Sequence, residues 1–153
     1  HPNTQNLTEN NHNFHKMITD GIYVEYQENN ETKDDIVWPI QLDPKKIEEN
    51  DFLVVNQFTV IEKGERRPDV ILFVNGIPIV ILELKNPRDP KATIWSAYNQ
   101  VQSTYKDEIP SMFVHNEIIV VSDGIGGGID PCSLATIKSC SICLPSQSEA
   151  LPN

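Results

Sequence analysis

The sequence predicts an α/β domain built on a mixed β-sheet flanked by helices. Two apolar, β-branched runs flank Asn75-Gly76, which is the strongest short-range signal for a β-hairpin. A helix is predicted from about residue 91 to residue 106, and a strand from Glu117 to Val121 follows it. The inward face of this helix is suggested by Trp95, Tyr98, Val101 and Gln102. This order of strands, helix and strand predicts that the hairpin is the core of the sheet.

The segments before the hairpin add further helices and strands. Phe14 and Ile18 recur with helical spacing, and Gly21 is placed to end that helix. Asp43 and Pro44 suit the N-cap and the first position of a short helix. In chain order, the predicted elements are a helix around residues 14–18, strands at 22–26 and 36–42 with a polar turn at 27–34, a short helix at 43–50, and a strand at 52–61.

Charged residues lie at the open end of the predicted hairpin, beside its apolar interior. Asp69 precedes the first strand, and Glu83 and Lys85 end the second. Successive side chains of a strand point to opposite faces, so Glu83 and Lys85 share one face while Leu84 faces the other. Alternating charges at a strand end are also typical of a solvated edge that discourages aggregation, and Glu-x-Lys alone does not exclude that interpretation.

The register of the hairpin decides whether Asp69 joins Glu83 on its face. A two-residue turn would pair Asp69 with Leu82, and the two carboxylates would then face opposite ways. A three-residue loop, with Gly76 left-handed and a bulge beside it, would pair Asp69 with Ile81 and restore a common face. We therefore predict an odd loop or a bulge in this hairpin.

On a common face, Asp69 and Glu83 would form an oxygen-rich metal site. Carboxylates are hard ligands that suit Mg²⁺, for which Mn²⁺ substitutes, and the carbonyl of Leu84 would add a third oxygen. A metal held there lowers the pKa of bound water, and Lys85 would orient that water or offset charge developing on a phosphate. The pattern predicts a metal-dependent phosphodiesterase site.

Several short motifs occur in a specific order along the chain. They are Asn50-Asp51-Phe52 with Asn56-Gln57-Phe58, Arg66-Arg67-Pro68-Asp69, Asn75-Gly76-Ile77-Pro78, Glu83-Leu84-Lys85-Asn86-Pro87, and Val121-Ser122-Asp123-Gly124. They resemble the PD-(D/E)xK nuclease core, which has a restriction-endonuclease-like fold. More closely, they are similar to the N-terminal endonuclease domain of the restriction (R, HsdR-type) subunit of type I restriction-modification enzymes. The resemblance covers about residues 12–124.

The resemblance implies a Mg²⁺-dependent endonuclease that cuts double-stranded DNA. It implies that Asp69 and Glu83 are metal ligands and that Lys85 is the catalytic lysine. The family also carries a Gln and a Tyr on the helix after the hairpin, usually four residues apart. Their counterparts here are Gln100 and Tyr105, which are five apart. Five steps along an α-helix rotate by about 500°, so these side chains would not stack as neighbours four apart do.

The acidic composition is the main objection to a DNA-binding role, because contacts to phosphates need Lys or Arg and the formal net charge is −10. Two basic clusters near the proposed site offset this objection. Their members expected to contact DNA are Arg66, Arg67, Arg88 and Lys91. The resemblance implies that a translocase and the methylation and specificity subunits hold the DNA. ATP would then be used only by a motor region outside this chain, which lacks a G-x-x-x-x-G-K-[ST] loop.

The two ends of the chain differ in composition from its middle. We predict a flexible, Asn-rich arm at residues 1–11, the nuclease domain at residues 12–125, and a poorly ordered tail containing Gly, Ser and Cys at residues 126–153. Cys140 and Cys143 resemble half of a zinc site, but Cys132 is the only other thiol, which disfavours zinc. No apolar run approaches transmembrane length and no signal peptide is evident, which predicts a cytoplasmic chain without membrane contact.

Two other functions stay open on the sequence. The first is a catalytically inert module that keeps the nuclease fold for binding or assembly, which the acidic charge and the five-residue spacing favour. The second is a repair-type PD-(D/E)xK nuclease, which would share the site but not the partners. The motifs at Asn56-Gln57 and at residues 75–78 make the repair nuclease a poorer match, on resemblance alone.

Overall fold

The computed structural model describes residues 6–86, 94–122 and 127–130. Arg88, Lys91, the beginning of the predicted helix and most of the predicted tail lie outside these residues. The helices are α1 (Leu7–Asp20), α2 (Ile94–Asn99), α3 (Lys106–Glu108) and α4 (Ser111–Val114), with a 3-10 helix at Ile47–Glu49 and a π-helical segment at Gln100–Tyr105. The strands are β1 (Ile22–Glu28), β2 (Glu31–Val37), β3 (Phe52–Asn56), β4 (Val60–Ile61), β5 (Glu65–Arg66), β6 (Val70–Val74), β7 (Ile77–Leu84), β8 (Ile118–Ser122) and β9 (Gly127–Asp130).

A five-stranded mixed sheet forms the centre of the domain, in the order β3-β6-β7-β8-β9. Its neighbouring strands are antiparallel except β7 and β8, which run parallel because a helical crossover joins them. The predicted α/β class, with a mixed sheet and flanking helices, is therefore confirmed. Strands β1 and β2, and likewise β4 and β5, pair as separate two-stranded hairpins. None of the described helices is long and apolar enough to cross a membrane.

Two apolar clusters hold the helices against the sheet. The larger joins the middle of the sheet to the helical crossover, and its most buried members are Ile71, Ile81, Ile119, Ala97, Val101, Ile109 and Phe113. The smaller packs Phe14 and Ile18 of α1, together with Ile40, against the turn end of the β6–β7 hairpin. Full burial of one such side chain contributes about 1.5–3 kcal/mol, so the hairpin is anchored along its whole length.

The β6–β7 hairpin contains an irregularity, as predicted, but at a different position. Its turn has two residues, Asn75 and Gly76, whose φ values of 52° and 77° suit a type I′ turn. The extra residue lies in β7, where Ile79 has no partner between the pairs Phe73–Pro78 and Leu72–Val80. The three-residue loop was therefore the wrong alternative, and the bulge was the right one.

The bulge sets the register at the open end of the hairpin. Ile81 pairs with Ile71, so the predicted pairing of Asp69 with Ile81 is wrong. The register continues to the Val70–Leu82 pair, and one further step places Asp69 opposite Glu83. Directly opposite residues share a face of the sheet, with Cβ atoms about 4.5–5.5 Å apart. Asp69 and Glu83 therefore share a face of the sheet, as a common metal site requires. Asp69 lies opposite a residue of β7 two positions further along than predicted.

Asn116 secures this bulge from the end of the crossover. Its side-chain Nδ2 donates to the carbonyl oxygens of Ile79 and Ile118, at 2.9 Å each. The backbone N–H of Glu117 donates to the same Ile79 carbonyl at 2.9 Å. Asn116 is fully buried, and its own carbonyl accepts from Asn11 Nδ2 of α1 at 2.7 Å. The backbone oxygen that the bulge frees is thus satisfied inside the protein.

The N-terminal helix begins earlier than the sequence suggested. The side chain of Asn6 caps it by accepting from the backbone N–H groups of Thr8 and Glu9. The part of the expected arm from Leu7 to residue 11 is therefore helical, while residues 1–5 lie outside the described residues. Gly21 ends the helix with a φ of 79°, which confirms the predicted cap.

The segments between α1 and β6 depart most from the sequence expectations. The turn predicted at 27–34 is present but shorter, because β1 and β2 extend into this stretch and reverse at Asn29-Asn30, with φ values of 55° and 63°. Asp43 caps a turn by accepting from the backbone of Lys45, and only the 3-10 helix follows it. The predicted strand 52–61 is broken after Asn56, where Gln57 has a φ of 54°.

The crossover helix also differs from an ordinary amphipathic helix. Its predicted inward face was Trp95, Tyr98, Val101 and Gln102. Val101 is buried as predicted, together with Ala97 and Tyr105, which were not predicted. Trp95 is 56% exposed and packs edge-on against Tyr98. Residues four apart on an α-helix differ in direction by about 40°, so successive buried residues would turn away from the sheet. The π-helical segment compensates for this change in direction.

Candidate active site

Two neutral groups hold the carboxylate of Asp69 in place. The side-chain Nε2 of Gln57 donates to Asp69 Oδ1 at 2.9 Å, and the backbone N–H of Leu84 donates to Asp69 Oδ2 at 2.8 Å. A carboxylate has about four acceptor positions, so lone pairs remain on both oxygens. Asp69 is therefore fixed in direction while keeping its full negative charge.

The side chain of Glu83 is buried, with 4% of the residue exposed, and both of its oxygens accept hydrogen bonds. Lys85 Nζ donates to Glu83 Oε1 at 3.0 Å, and the Tyr105 hydroxyl donates to Glu83 Oε2 at 3.1 Å. Burying an ionised carboxylate is costly unless it is paired and hydrogen-bonded. These two partners meet that condition.

Gln100 closes these contacts into a polar ring made of Glu83, Lys85, Gln100 and Tyr105. Lys85 Nζ donates to Gln100 Oε1 at 2.7 Å, and Gln100 Nε2 in turn donates to the Tyr105 hydroxyl oxygen at 2.7 Å. Each contact in the ring joins a donor to an acceptor, with Tyr105 protonated and donating to Glu83. The ring fixes the head of Lys85 beside the carboxylate of Glu83.

Electrostatics reinforce the protonated state of Tyr105. Burial is the main cause that raises the pKa of its phenol above the ordinary value, and the negative charge of Glu83 adds to it. The hydrogen bond from Gln100 acts in the opposite direction and is smaller than either. Tyr105 therefore remains a hydrogen-bond donor to Glu83 at neutral pH.

The π-helical segment explains how residues five apart meet. In a π-helix the backbone bonds run from i to i+5, so residues at that spacing lie on one face. The segment spans Gln100–Tyr105, which are the two residues whose spacing exceeds the family pattern by one. The expectation that Gln100 and Tyr105 do not meet holds for an α-helix and is wrong here.

The donor set fits a hard divalent cation. Asp69 and Glu83 present carboxylates from opposite strands, and the Leu84 peptide contacts Asp69 through its N–H. Mg²⁺ keeps several waters and uses few protein ligands, so two carboxylates and the carbonyl of Leu84 would suffice. The described residues contain no group of three or more His, Cys, Asp or Glu that could hold a metal, and these ligands are the candidates within that part of the chain.

A cleft of about 390 Å³ opens beside the polar ring. Its lining residues are Glu65, Arg66, Arg67, Gln100, Thr104 and Tyr105. Arg66 forms a salt bridge with Glu108 at 2.7 Å, and the backbone oxygen of Glu108 accepts from Lys63 and Gly64. These contacts fasten the β4–β5 hairpin to the crossover. Arg67 is exposed and forms no salt bridge with any residue that the structure describes.

The structure thus brings together Asp69, Glu83, Leu84, Lys85, Gln100 and Tyr105, with Arg66 and Arg67 at the adjoining cleft. Arg88 and Lys91 lie outside the described residues. Sequence reasoning missed the contact of Gln57 with Asp69, although Gln57 belongs to one of the motifs. The adjacent polar residues Asn56 and Gln57 inside a mainly apolar run were the available signal, and the assumption of an unbroken strand from 52 to 61 concealed it.

The fold and the site together are compatible with the restriction-endonuclease-like class, in which an Asp and a Glu-x-Lys meet at the end of a central hairpin. The sequence-family model for the N terminus of type I restriction enzyme R proteins matches residues 2–127 of this chain. The chain therefore belongs to this family of type I restriction enzyme R protein N-terminal domains.

Similar proteins agree with this assignment. The type I restriction enzyme HindI endonuclease subunit of Haemophilus influenzae is 44% identical over 117 residues, which is 75% of this chain and 11% of that protein. A putative endonuclease subunit of Methanocaldococcus jannaschii, MjaIXP, is 42% identical over 116 residues, 73% of this chain and 11% of that protein. A Staphylococcus aureus endonuclease subunit, SauCOLORF180P, is 33% identical over 84 residues, 55% of this chain and 9% of that protein. The chain therefore spans about a tenth of the length of these relatives.

Proposed function

We propose that this chain is the endonuclease domain of a type I restriction enzyme R subunit and hydrolyses phosphodiester bonds of double-stranded DNA with Mg²⁺. The observation that carries the proposal is the polar ring beside Asp69. The ring and Asp69 together bring a lysine and two carboxylates to one end of the central hairpin. A surface hairpin that merely discouraged aggregation would not need a buried carboxylate with two partners.

Each residue of the site has a distinct task in this proposal. Asp69, Glu83 and the carbonyl of Leu84 would hold Mg²⁺, for which Mn²⁺ substitutes. When bound, the cation supplies a water of lowered pKa and charge to offset the phosphate. Lys85 directs N–H groups to Glu83 and Gln100, and its remaining N–H would bind a phosphate oxygen or orient the attacking water. Gln100 and Tyr105 hold Lys85 and Glu83 in position.

The cleft beside the ring is the proposed path of the DNA backbone. Arg67 is exposed there, and Arg66 lines the same cleft while bound to Glu108. Arg88 and Lys91 remain further candidates for phosphate contacts from the sequence. With a net charge of −10, the chain would depend on other regions to retain DNA. In the cytoplasm, an ATP-driven translocase in the R subunit and the methylation and specificity subunits would hold the DNA.

A cleavage assay in an assembled complex tests the proposal. This chain would replace the matching segment of the Haemophilus influenzae relative, and the chimeric subunit would be combined with its partners. We expect ATP- and Mg²⁺-dependent cleavage of plasmid DNA, reduced about 100-fold or more in Lys85→Ala, with ATP hydrolysis retained. Lys16→Ala, which removes an exposed charge from α1, should cut like the parent. Equal cleavage by Lys85→Ala and the parent would refute the assigned site.

The second candidate is an inert assembly module, and the acidic composition favours it. It would share the fold but bind no divalent cation through Asp69 and Glu83. A chimera that hydrolyses ATP, translocates and never cuts would support this second function. A repair-type nuclease shares the site, but the match to the type I family over residues 2–127 favours the R subunit.

A further inference from the structure

Gln57 contacts Asp69 of the site but has no role in the proposed chemistry. It directly follows β3, an edge strand of the sheet, and its side chain is exposed. An exposed glutamine after a strand end is ordinarily free to take many rotamers. Here both its backbone N–H and its side-chain amide donate hydrogen bonds to one residue, Asp69.

Two hydrogen bonds join Gln57 to Asp69. The backbone N–H of Gln57 donates to the carbonyl oxygen of Asp69 at 2.9 Å, which continues the β3–β6 ladder by one residue. The side-chain Nε2 donates to Asp69 Oδ1, also at 2.9 Å. Gln57 therefore fixes the main chain and the carboxylate of the same residue.

The backbone of Gln57 is strained in this position. Its φ is 54°, in the left-handed region that glycine adopts freely and that is uncommon for a residue with a Cβ atom. Strained conformations persist where the surrounding structure holds them, and they cluster at functional sites. Glycine would fit this backbone at lower cost, so the presence of glutamine requires a benefit from its side chain.

The chemistry of the two donors on Asp69 indicates what that benefit is. Both donors are neutral: the Gln57 amide and the Leu84 backbone N–H. Glu83, in contrast, is paired with the cation of Lys85. A neutral donor orients a carboxylate without cancelling its charge, so Asp69 keeps the greater attraction for a divalent cation.

We propose that Gln57 is a positioning residue that orients Asp69 for metal binding, and that backbone strain is retained for this purpose. The inference rests on the proposed function, because it assigns Asp69 as a metal ligand. It makes a distinctive claim, namely that removal of the side chain weakens the site while the fold becomes no less stable. A residue with only a structural role would lose both together.

Gln57→Gly tests this claim, with Asn30→Gly as the matched control. Asn30 has a φ of 63° in the β1–β2 turn, so glycine relieves a similar backbone there without touching Asp69. We expect both variants to melt at or above the parental temperature without metal. In Mn²⁺ titrations by calorimetry, Gln57→Gly should need tenfold or more Mn²⁺ for half-saturation, whereas Asn30→Gly should match the parent. Gln57→Asn, which suits this backbone but is one methylene too short, should also bind Mn²⁺ more weakly.

The outcomes separate this inference from the proposed function. Parental Mn²⁺ binding by Gln57→Gly would overturn the positioning role and leave the metal site standing. A Gln57→Gly variant that melts well below the parent would also overturn it, because the side chain would then be structural. A parent that binds no Mn²⁺ at all would overturn the metal site and the inference together.

Discussion

Deleting Ser103 should convert the π-helical segment into ordinary α-helix and keep the site intact. The deletion restores the four-residue spacing between Gln100 and Tyr105. In an α-helix, residues five apart differ in direction by about 140° and residues four apart by about 40°. At a side-chain radius of about 5–6 Å, these angles correspond to lateral separations of about 10 Å and about 4 Å. The polar ring can therefore form from an α-helix only after the deletion.

The buried positions of the crossover lead to the same expectation. Ala97, Val101, Tyr105 and Ile109 are buried in a run of four-residue steps, which would drift by about 120° on an α-helix. Removal of Ser103 shortens the middle step to three and reduces the drift to about 20°. The shortened helix then presents one continuous apolar face, as in an ordinary amphipathic helix.

Denaturant unfolding and Mn²⁺ titration together measure this effect. The Ser103 deletion should unfold at or above the parental midpoint and bind Mn²⁺ within about threefold of the parent, because a π turn is less favourable than an α turn. Deletion of the exposed Asp107 is the control, since it leaves the π segment unchanged and turns Ile109 by about 100°. A Ser103 deletion as unstable as the Asp107 deletion, or one that loses Mn²⁺ binding, would refute the reasoning.

Three further predictions follow from individual contacts. Because the pKa of Tyr105 is raised on folding, its contribution to stability is complete below the ordinary tyrosine pKa of about 10 and is lost as pH rises above it. Thermal unfolding of the parent between pH 9 and about 11 should show this loss, and Tyr105→Phe should weaken it; equal slopes would contradict the assigned burial. Asn116→Ala should lower the free energy of unfolding by about 1–3 kcal/mol, because the bulge at Ile79 loses a buried donor; an unchanged urea midpoint would exclude that role. In the assembled chimera, Arg67→Ala should weaken DNA binding and reduce the salt dependence of log K by about 1, whereas an unchanged slope would place the DNA elsewhere.

The hairpin shows how far the sequence alone could go. Two apolar runs around Asn75-Gly76 predicted the strands, and the need for Asp69 and Glu83 to share a face predicted an irregularity. The one local mark of its position was Pro78, which lies next to the extra residue Ile79, since proline is tolerated inside a sheet mainly at edges and bulges. Since Asn75 and Gly76 both accept positive φ, a two-residue turn forms without strain and the extra residue enters β7.

The crossover shows what the sequence left undetermined. An α-helical period was assumed from residue 91 to residue 106, and of the inward face that it gave only Val101 is fully buried. The sequence does repeat apolar residues every four positions, which is the signal of the π-helical turn. Helix propensity, however, cannot distinguish a single π-helical turn from the end of a helix. The sequence placed a strand at 22–26, within β1, but it missed most of β2, because these strands are polar and almost wholly exposed and no alternating pattern marks their extent.

Calorimetric titration with Mn²⁺ tests the central claim most directly. The parent, Asp69→Asn and Glu83→Gln would be titrated with and without a short DNA duplex, and the exposed Glu25→Gln would serve as the control. We expect saturable binding in the parent and the control, accompanied by a rise in melting temperature, and at least tenfold weaker binding in the two site variants. Equal binding in all four proteins, or none in the parent even with DNA present, would contradict the metal site formed by Asp69 and Glu83.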